Sequence, residues 1–249
     1  MFTPPSGARH QSIWMRSSMV EQSSYTRLVP GSSPGASTKI TYYSMELKDK
    51  INSKHTALLV IDIQKDFAAP DGLLAKRGRD ISMVEPMIEK LQKIIATARK
   101  ADVLTLYTQQ IYDRSKLNDL QKEQYDLDGK LITCDIATGG YKFYKINPPP
   151  EFVFQKCNYN IFSNPALEET LQKHNIKTLI ITGMDTAWCV ETAIRNGFDL
   201  GYKIVVPEDL VVGNGRHADL HARTLELVHK TFGVVTNSEE IDKIWRKTN

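Results

Sequence analysis

Between Thr56 and Thr236, short apolar runs alternate with stretches in which apolar residues recur at helical spacing. Thr56-Ala-Leu-Leu-Val-Ile-Asp62 is apolar without alternation, as a strand covered on both faces must be. Residues 82–100 place Met83, Met87, Ile88, Leu91, Ile94, Ile95 and Ala98 on one face of a predicted helix. Asp102–Gln109, Phe152–Lys156, Thr178–Gly183, Lys203–Pro207 and Gly233–Thr236 are further predicted strands. Helices are expected from Pro165, behind an Asn164 cap, to His174, from about Ala187 to Gly197, and over 216–231. Residues 110–150, with Gly139-Gly140 and a Pro148–Pro150 run, are expected to be an irregular insertion or lid. Alternating strands and helices predict an α/β fold. The expected form is a three-layer α/β/α domain around a mainly parallel, Rossmann-like sheet of about six strands.

In such a sheet, ligands bind beyond the carboxyl ends of the strands. Asp62 closes the first strand, Lys156 closes Phe152–Lys156, and Cys189 lies just after Thr178–Gly183. A nearby ammonium and a helix start both favour a thiolate, and a carboxylate can carry protons to a leaving group. Together the three have the makings of an acyl-transfer site. Each has a plainer reading too: a buried Cys is often just a small apolar residue, and a strand-end Asp often caps a turn.

The local motifs sharpen this. Leu58-Leu-Val-Ile-Asp62-Ile-Gln64-Lys-Asp66-Phe67, Lys156-Cys-Asn-Tyr159-Asn-Ile-Phe162 and Gly183-Met-Asp185-Thr186-Ala-Trp188-Cys189-Val190-Glu191-Thr-Ala resemble three ordered motifs of the isochorismatase-like cysteine hydrolase superfamily. That superfamily includes nicotinamidases, carbamoylsarcosine amidases and ureidoacrylate amidohydrolases. Val205-Val-Pro-Glu208-Asp209 also matches, and the resemblance covers roughly residues 55–240. It implies Cys189 as nucleophile, Asp62 as general base and acid, and Lys156 as the group holding the thiolate and orienting Asp62. It further implies a non-proline cis peptide at Met184-Asp185, with the backbone N–H groups of Asp185 and Cys189 as oxyanion hole. Tyr159, Phe162 and Trp188 are candidates for the substrate pocket and equally for packing. Gln64 and Asp66 are expected to orient the first turn. The Asp185 side chain either contacts substrate or caps the following helix.

The reaction implied is cleavage of a C–N bond in a small amide, carbamoyl or ureido compound, with a thioester at Cys189. Two rivals share the fold: a vinyl-ether hydrolase, which does not require the Cys, and a catalytically silent binding protein. Tyr107–Arg114 holds no His where metal-dependent relatives carry Asp-x-His, and His217 with His221 alone is a weak ligand pair. No metal and no cofactor are therefore expected. Val211–Arg216 lacks the third glycine of a dinucleotide loop.

Composition bounds the partners. The 249 residues carry a net charge of +3. Residues 1–44 hold Arg9, Arg16, Arg27 and Lys39 against Glu21 alone, so the whole excess lies there. The rest is balanced and presents no nucleic-acid-binding charge. No run of about 18 apolar residues exists to span a membrane. Cys134, Cys157 and Cys189 are too few and too scattered for a disulfide framework, so a reducing, cytoplasmic setting is expected. A small-molecule substrate and, by the resemblance, self-association are the expected partners.

Residues 1–44, rich in Ser, Thr, Gly and Pro, are expected to be disordered, with the hydrolase domain over 45–249. The segment has the acid-poor look of a transit peptide. Ser17–Gln22 and Gly31–Gly35 can, however, be encoded by sequences resembling the D and TΨC arms of a tRNA. Trp14–Arg16 and Gly35–Ser37 can encode a matching stem. We expect these residues to be a spurious translation, with the start at Met45. Mass-spectrometric detection of a peptide from within residues 1–40 would overturn this.

Overall fold

Residues 46–128, 132–213, 215 and 218–247 are described by a computed structural model of the chain. The expectations for residues 1–44 and for His217 lie outside them. The strands are β1 (Thr56–Ile61), β2 (Leu104–Gln110), β3 (Val153–Lys156), β4 (Thr178–Met184), β5 (Lys203–Pro207), β6 (Val211–Val212) and β7 (Gly233–Thr236). They form one seven-stranded sheet in the order β3-β2-β1-β4-β5-β7, every pairing parallel. The two-residue β6 was not foreseen; it pairs with the end of β4, Gly183 opposite Val211 and Met184 opposite Val212.

The helices are α1 (Leu47–Lys50), α2 (Lys65–Ala68), α3 (Leu73–Lys76), α4 (Val84–Lys100), α5 (Asp119–Asp128), α6 (Pro165–Lys173), α7 (Glu191–Asp199), α8 (Ala218–Leu227) and α9 (Ser238–Lys247). Two cores follow from the pleat of β1. Leu58 and Val60 face the side covered by α4 and α9, while Ala57, Leu59 and Ile61 face α6 and α7. Burial on both faces explains why β1 and β4 show no polar alternation. These are the three layers predicted from the alternation of elements.

Some boundaries differ from expectation. Met83 precedes α4 and is 64% exposed, so Val84 takes the first buried place of that stripe. The region 110–150 is not wholly irregular, because it contains α5. Asn118 accepts from the Gln121 N–H at 2.8 Å and Gln121 accepts from the Asn118 N–H at 3.1 Å, a reciprocal capping box that starts this polar helix. The helix expected from Ala187 starts as a wide π-type turn, Thr186–Val190, before α7. α9 carries Trp245, 1% exposed, whose indole N–H donates to the Ile51 carbonyl at 3.1 Å. Among the described residues no helix is long and apolar enough to cross a membrane.

The insertion is tied to the turn after β1. Asp66 accepts from the Cys134 N–H at 2.7 Å, and the Lys65 and Asp66 N–H groups donate to Lys142 and Gly140 carbonyls at 2.8 and 3.0 Å. Gly140 has no substitute there: a Cβ would lie 2.0 Å from the Asp66 carboxylate. Gln64 donates to the carbonyls of Gln110 and Tyr141 at 2.8 and 2.6 Å and accepts from the Gln110 N–H at 2.8 Å. Gln64 and Asp66 thus shape the turn, as expected.

Candidate active site

Asp62 follows the last residue of β1 with φ +52°, in the left-handed region. Aspartate tolerates this conformation better than most residues. It turns the carboxylate under the strand end and across to β2. There the Thr108 hydroxyl donates to Oδ1 at 2.5 Å and accepts from the Asp62 N–H at 3.2 Å. Lys156, the last residue of edge strand β3, reaches the same place. Its Nζ lies 2.7 Å from Asp62 Oδ2 and 3.2 Å from Cys189 Sγ. It also donates to Gln110 Oε1 at 2.6 Å and to the Asn158 carbonyl at 3.1 Å. Cys189 is delivered by the π-type turn after β4. The parallel sheet therefore brings all three residues from separate strands to one edge.

The approach of β4 to β1 depends on Gly183. Its φ is +108°, and a Cβ would meet the Ile61 carbonyl oxygen at 2.1 Å, one residue before Asp62. One residue further on, the Met184–Asp185 peptide is cis, as the resemblance implies.

The site is nearly closed to water: the side chains of Asp62 and Lys156 are 0% exposed, and Cys189 is buried. Burial works against the ammonium of Lys156, but the Asp62 carboxylate 2.7 Å away outweighs it and raises the Lys156 pKa above its ordinary value. Lys156 is thus charged at neutral pH. For Cys189, burial and then the Asp62 carboxylate push the pKa up, and Lys156 pulls it down without prevailing. That direction favours the thiol over the thiolate expected from an adjacent ammonium alone. Burial is the larger reason and proximity of the carboxylate the second.

Beyond the three, the sites expected from sequence scatter. Phe162 packs in the second core and stacks on Tyr202 with centroids 6.4 Å apart, which favours the packing reading. Tyr159 is 52% exposed. Trp188, one residue before Cys189, is half-buried. The Asp185 side chain makes no capping bond to the following turn, so that alternative falls. It raises the pKa of His221, though burial, the larger influence, lowers it overall. His221 Nδ1 lies 2.9 Å from the Thr186 hydroxyl.

An isochorismatase domain is matched over residues 56–240, most of the chain. The chain belongs to the isochorismatase family. Relatives agree with this. Over 205 residues it is 29% identical to the ureidoacrylate amidohydrolase RutB of Acinetobacter baylyi, covering 75% of this chain and 82% of that protein. It is 31% identical over 175 residues to RutB of an Enterobacter species, covering 63% and 74%. A crystal structure of a cysteine hydrolase from Pseudomonas syringae pv. phaseolicola superposes with a TM-score of 0.69 at 25% identity, covering 80% of this chain and 96% of that one. As a member of the isochorismatase family, the protein is a hydrolase.

Two residues of this isochorismatase-family site escaped the sequence analysis. Thr108 and Gln110 fall in the stretch that stands out in sequence only for its lack of histidine. Both stand at the carboxyl end of β2, where the strand-end rule could have singled them out. Gln110 is 1% exposed, and while its Oε1 holds Lys156, its Nε2 finds no partner among the described residues.

Proposed function

We propose that the protein hydrolyses a C–N bond of a small amide, carbamoyl or ureido compound through a thioester at Cys189. The observation that carries this reading is the contact of Lys156 Nζ with both Asp62 and Cys189 in a buried site. Asp62 takes the thiol proton as Sγ attacks the carbonyl carbon. The resulting oxyanion is received by the backbone N–H groups of Asp185 and Cys189, each such donor being worth about 2.7–4 kcal/mol in the transition state. Asp62 then passes the proton to the departing nitrogen, and ammonia or an amine leaves. Water, losing a proton to Asp62, attacks the thioester, and Sγ regains that proton as the acid departs. Lys156 keeps its charge throughout, fixing Asp62 and offsetting negative charge as the sulfur loses its proton. Trp188, half-buried and next to Cys189 in the chain, is the residue proposed to border the substrate. The names of the RutB relatives support ureido compounds as the first substrates to try.

The test is an ammonia-release screen over small amides, carbamoyl and ureido compounds with the wild type and Cys189→Ala. Turnover by the wild type and none by the variant is expected. Equal activity in both would remove the thiol from the mechanism and favour a vinyl-ether hydrolase. Gln110→Leu is expected to lower kcat/KM about 10- to 100-fold, the worth of one hydrogen bond to a charged group. An unchanged kcat/KM would show that Lys156 does not need that acceptor.

A further inference from the structure

A cleft of about 510 Å³ opens at the opposite edge of the sheet, under the amino-terminal ends of the strands. It is lined by the segments that lead into β1 (Ser53, Lys54), β2 (Asp102, Val103), β3 (Pro149, Phe152) and β4 (His174, Ile176). Its volume lies within the range of small-ligand sites. Asp62, Lys156 and Cys189 do not line it.

The cleft is built unevenly. Its floor is apolar, from Val103, Leu104, Phe152 and Ile176. Its rim carries the exposed cations Lys54 and Arg99, neither of which forms an ion pair among the described residues. Tyr107 is 4% exposed and also lines the cleft, and its hydroxyl forms no hydrogen bond among the described residues. Burial raises the pKa of this phenol while Arg99, which lines the same cleft, pulls it down. His174 donates from Nδ1 to the Thr170 carbonyl at 2.9 Å, which leaves Nε2 as the remaining ring nitrogen. Asp102 is the one carboxylate in the lining.

We propose that this cleft is a second ligand site, distinct from the catalytic centre, for a small aromatic carboxylate. The carboxylate would sit between Arg99 and Lys54 and accept from the Tyr107 hydroxyl. The ring would cover the apolar floor against Leu104 and Phe152. Two cations against the single carboxylate of Asp102 suit a monoanion. A phosphate dianion would exceed that net charge of one and leave the floor uncovered.

Isothermal titration of the full chain with benzoate and, separately, with inorganic phosphate tests this. Wild type is expected to bind benzoate at millimolar concentration and phosphate more weakly. Arg99→Ala and Lys54→Ala are each expected to weaken benzoate about tenfold. Arg99 and Lys54 are exposed, so the variants should melt with the wild type, which circular dichroism checks. Three results would each overturn the proposal: no benzoate heat with the wild type, equal affinity in the variants, or phosphate binding as tightly as benzoate.

Discussion

Asparagine in place of Asp62 is expected to cut turnover about 10²–10⁴-fold, yet to make Cys189 more reactive toward iodoacetamide at neutral pH. The first effect is loss of the proton acceptor. The second follows from charge. Burial and the Asp62 carboxylate hold the Cys189 pKa up, and Lys156 alone opposes them. Removing the carboxylate leaves the ammonium 3.2 Å from the sulfur with less against it, so the pKa falls and the thiolate fraction rises. Asparagine suits the test because it also tolerates the left-handed backbone at φ +52°, which alanine would adopt only at a cost of about 1–2 kcal/mol. Alkylation rates followed by mass spectrometry of the Cys189 peptide read the second effect, and a substrate from the ammonia screen reads the first. An unchanged or slower alkylation would mean that the Asp62 carboxylate does not keep the Cys189 pKa up. A simple loss of structure would lower activity too, but it would expose Cys134, buried in the native protein, to the reagent as well.

The contrast between Asp62 and Phe162 shows what sequence can carry. Asp62, Lys156 and Cys189 each close a strand or follow one. A parallel sheet sends every such position to the same edge, so their meeting is dictated by topology alone. Phe162 lies only six residues from Lys156 in the same motif, but it sits in the short turn Ile161–Ser163, and its ring stacks on Tyr202. Nothing local decides that orientation, because its partner is remote in sequence. The raised pKa of Cys189 is a similar case. A neighbouring Lys argues for a thiolate, and only the fold reveals that burial and the nearby carboxylate together outweigh it. Other omissions were legible. Asn118 and Gln121 have the spacing of a capping box, and Ile241, Ile244 and Trp245 the i, i+3, i+4 spacing of α9. They went unassigned because α5 lacks an apolar stripe and α9 lies beyond the end of the resemblance. β6 is too short for any period to register.

Methionine in place of Lys156 is expected to cost about 3–5 kcal/mol of stability, besides abolishing turnover. Both side chains of the Lys156–Asp62 pair are 0% exposed. Truncating one partner of such a pair leaves a charge buried without compensation, which costs far more than the pair contributes when intact. Two of the other Lys156 contacts, Gln110 Oε1 and the Asn158 carbonyl, lose their donor at the same time. The destabilisation therefore belongs to the bared carboxylate as well as to the missing bonds, and the two can be separated. In Asp62→Asn/Lys156→Met no buried charge remains, and most of the lost stability is expected to return although activity does not. Urea unfolding of the wild type, both single variants and the double variant measures this as a coupling energy. If the double variant is less stable than Lys156→Met by the full cost of Asp62→Asn, the two residues act independently. The ion pair would then not organise the site. If stability returns, the pair is retained at a cost in fragility, and its reason for being there is the chemistry at Cys189.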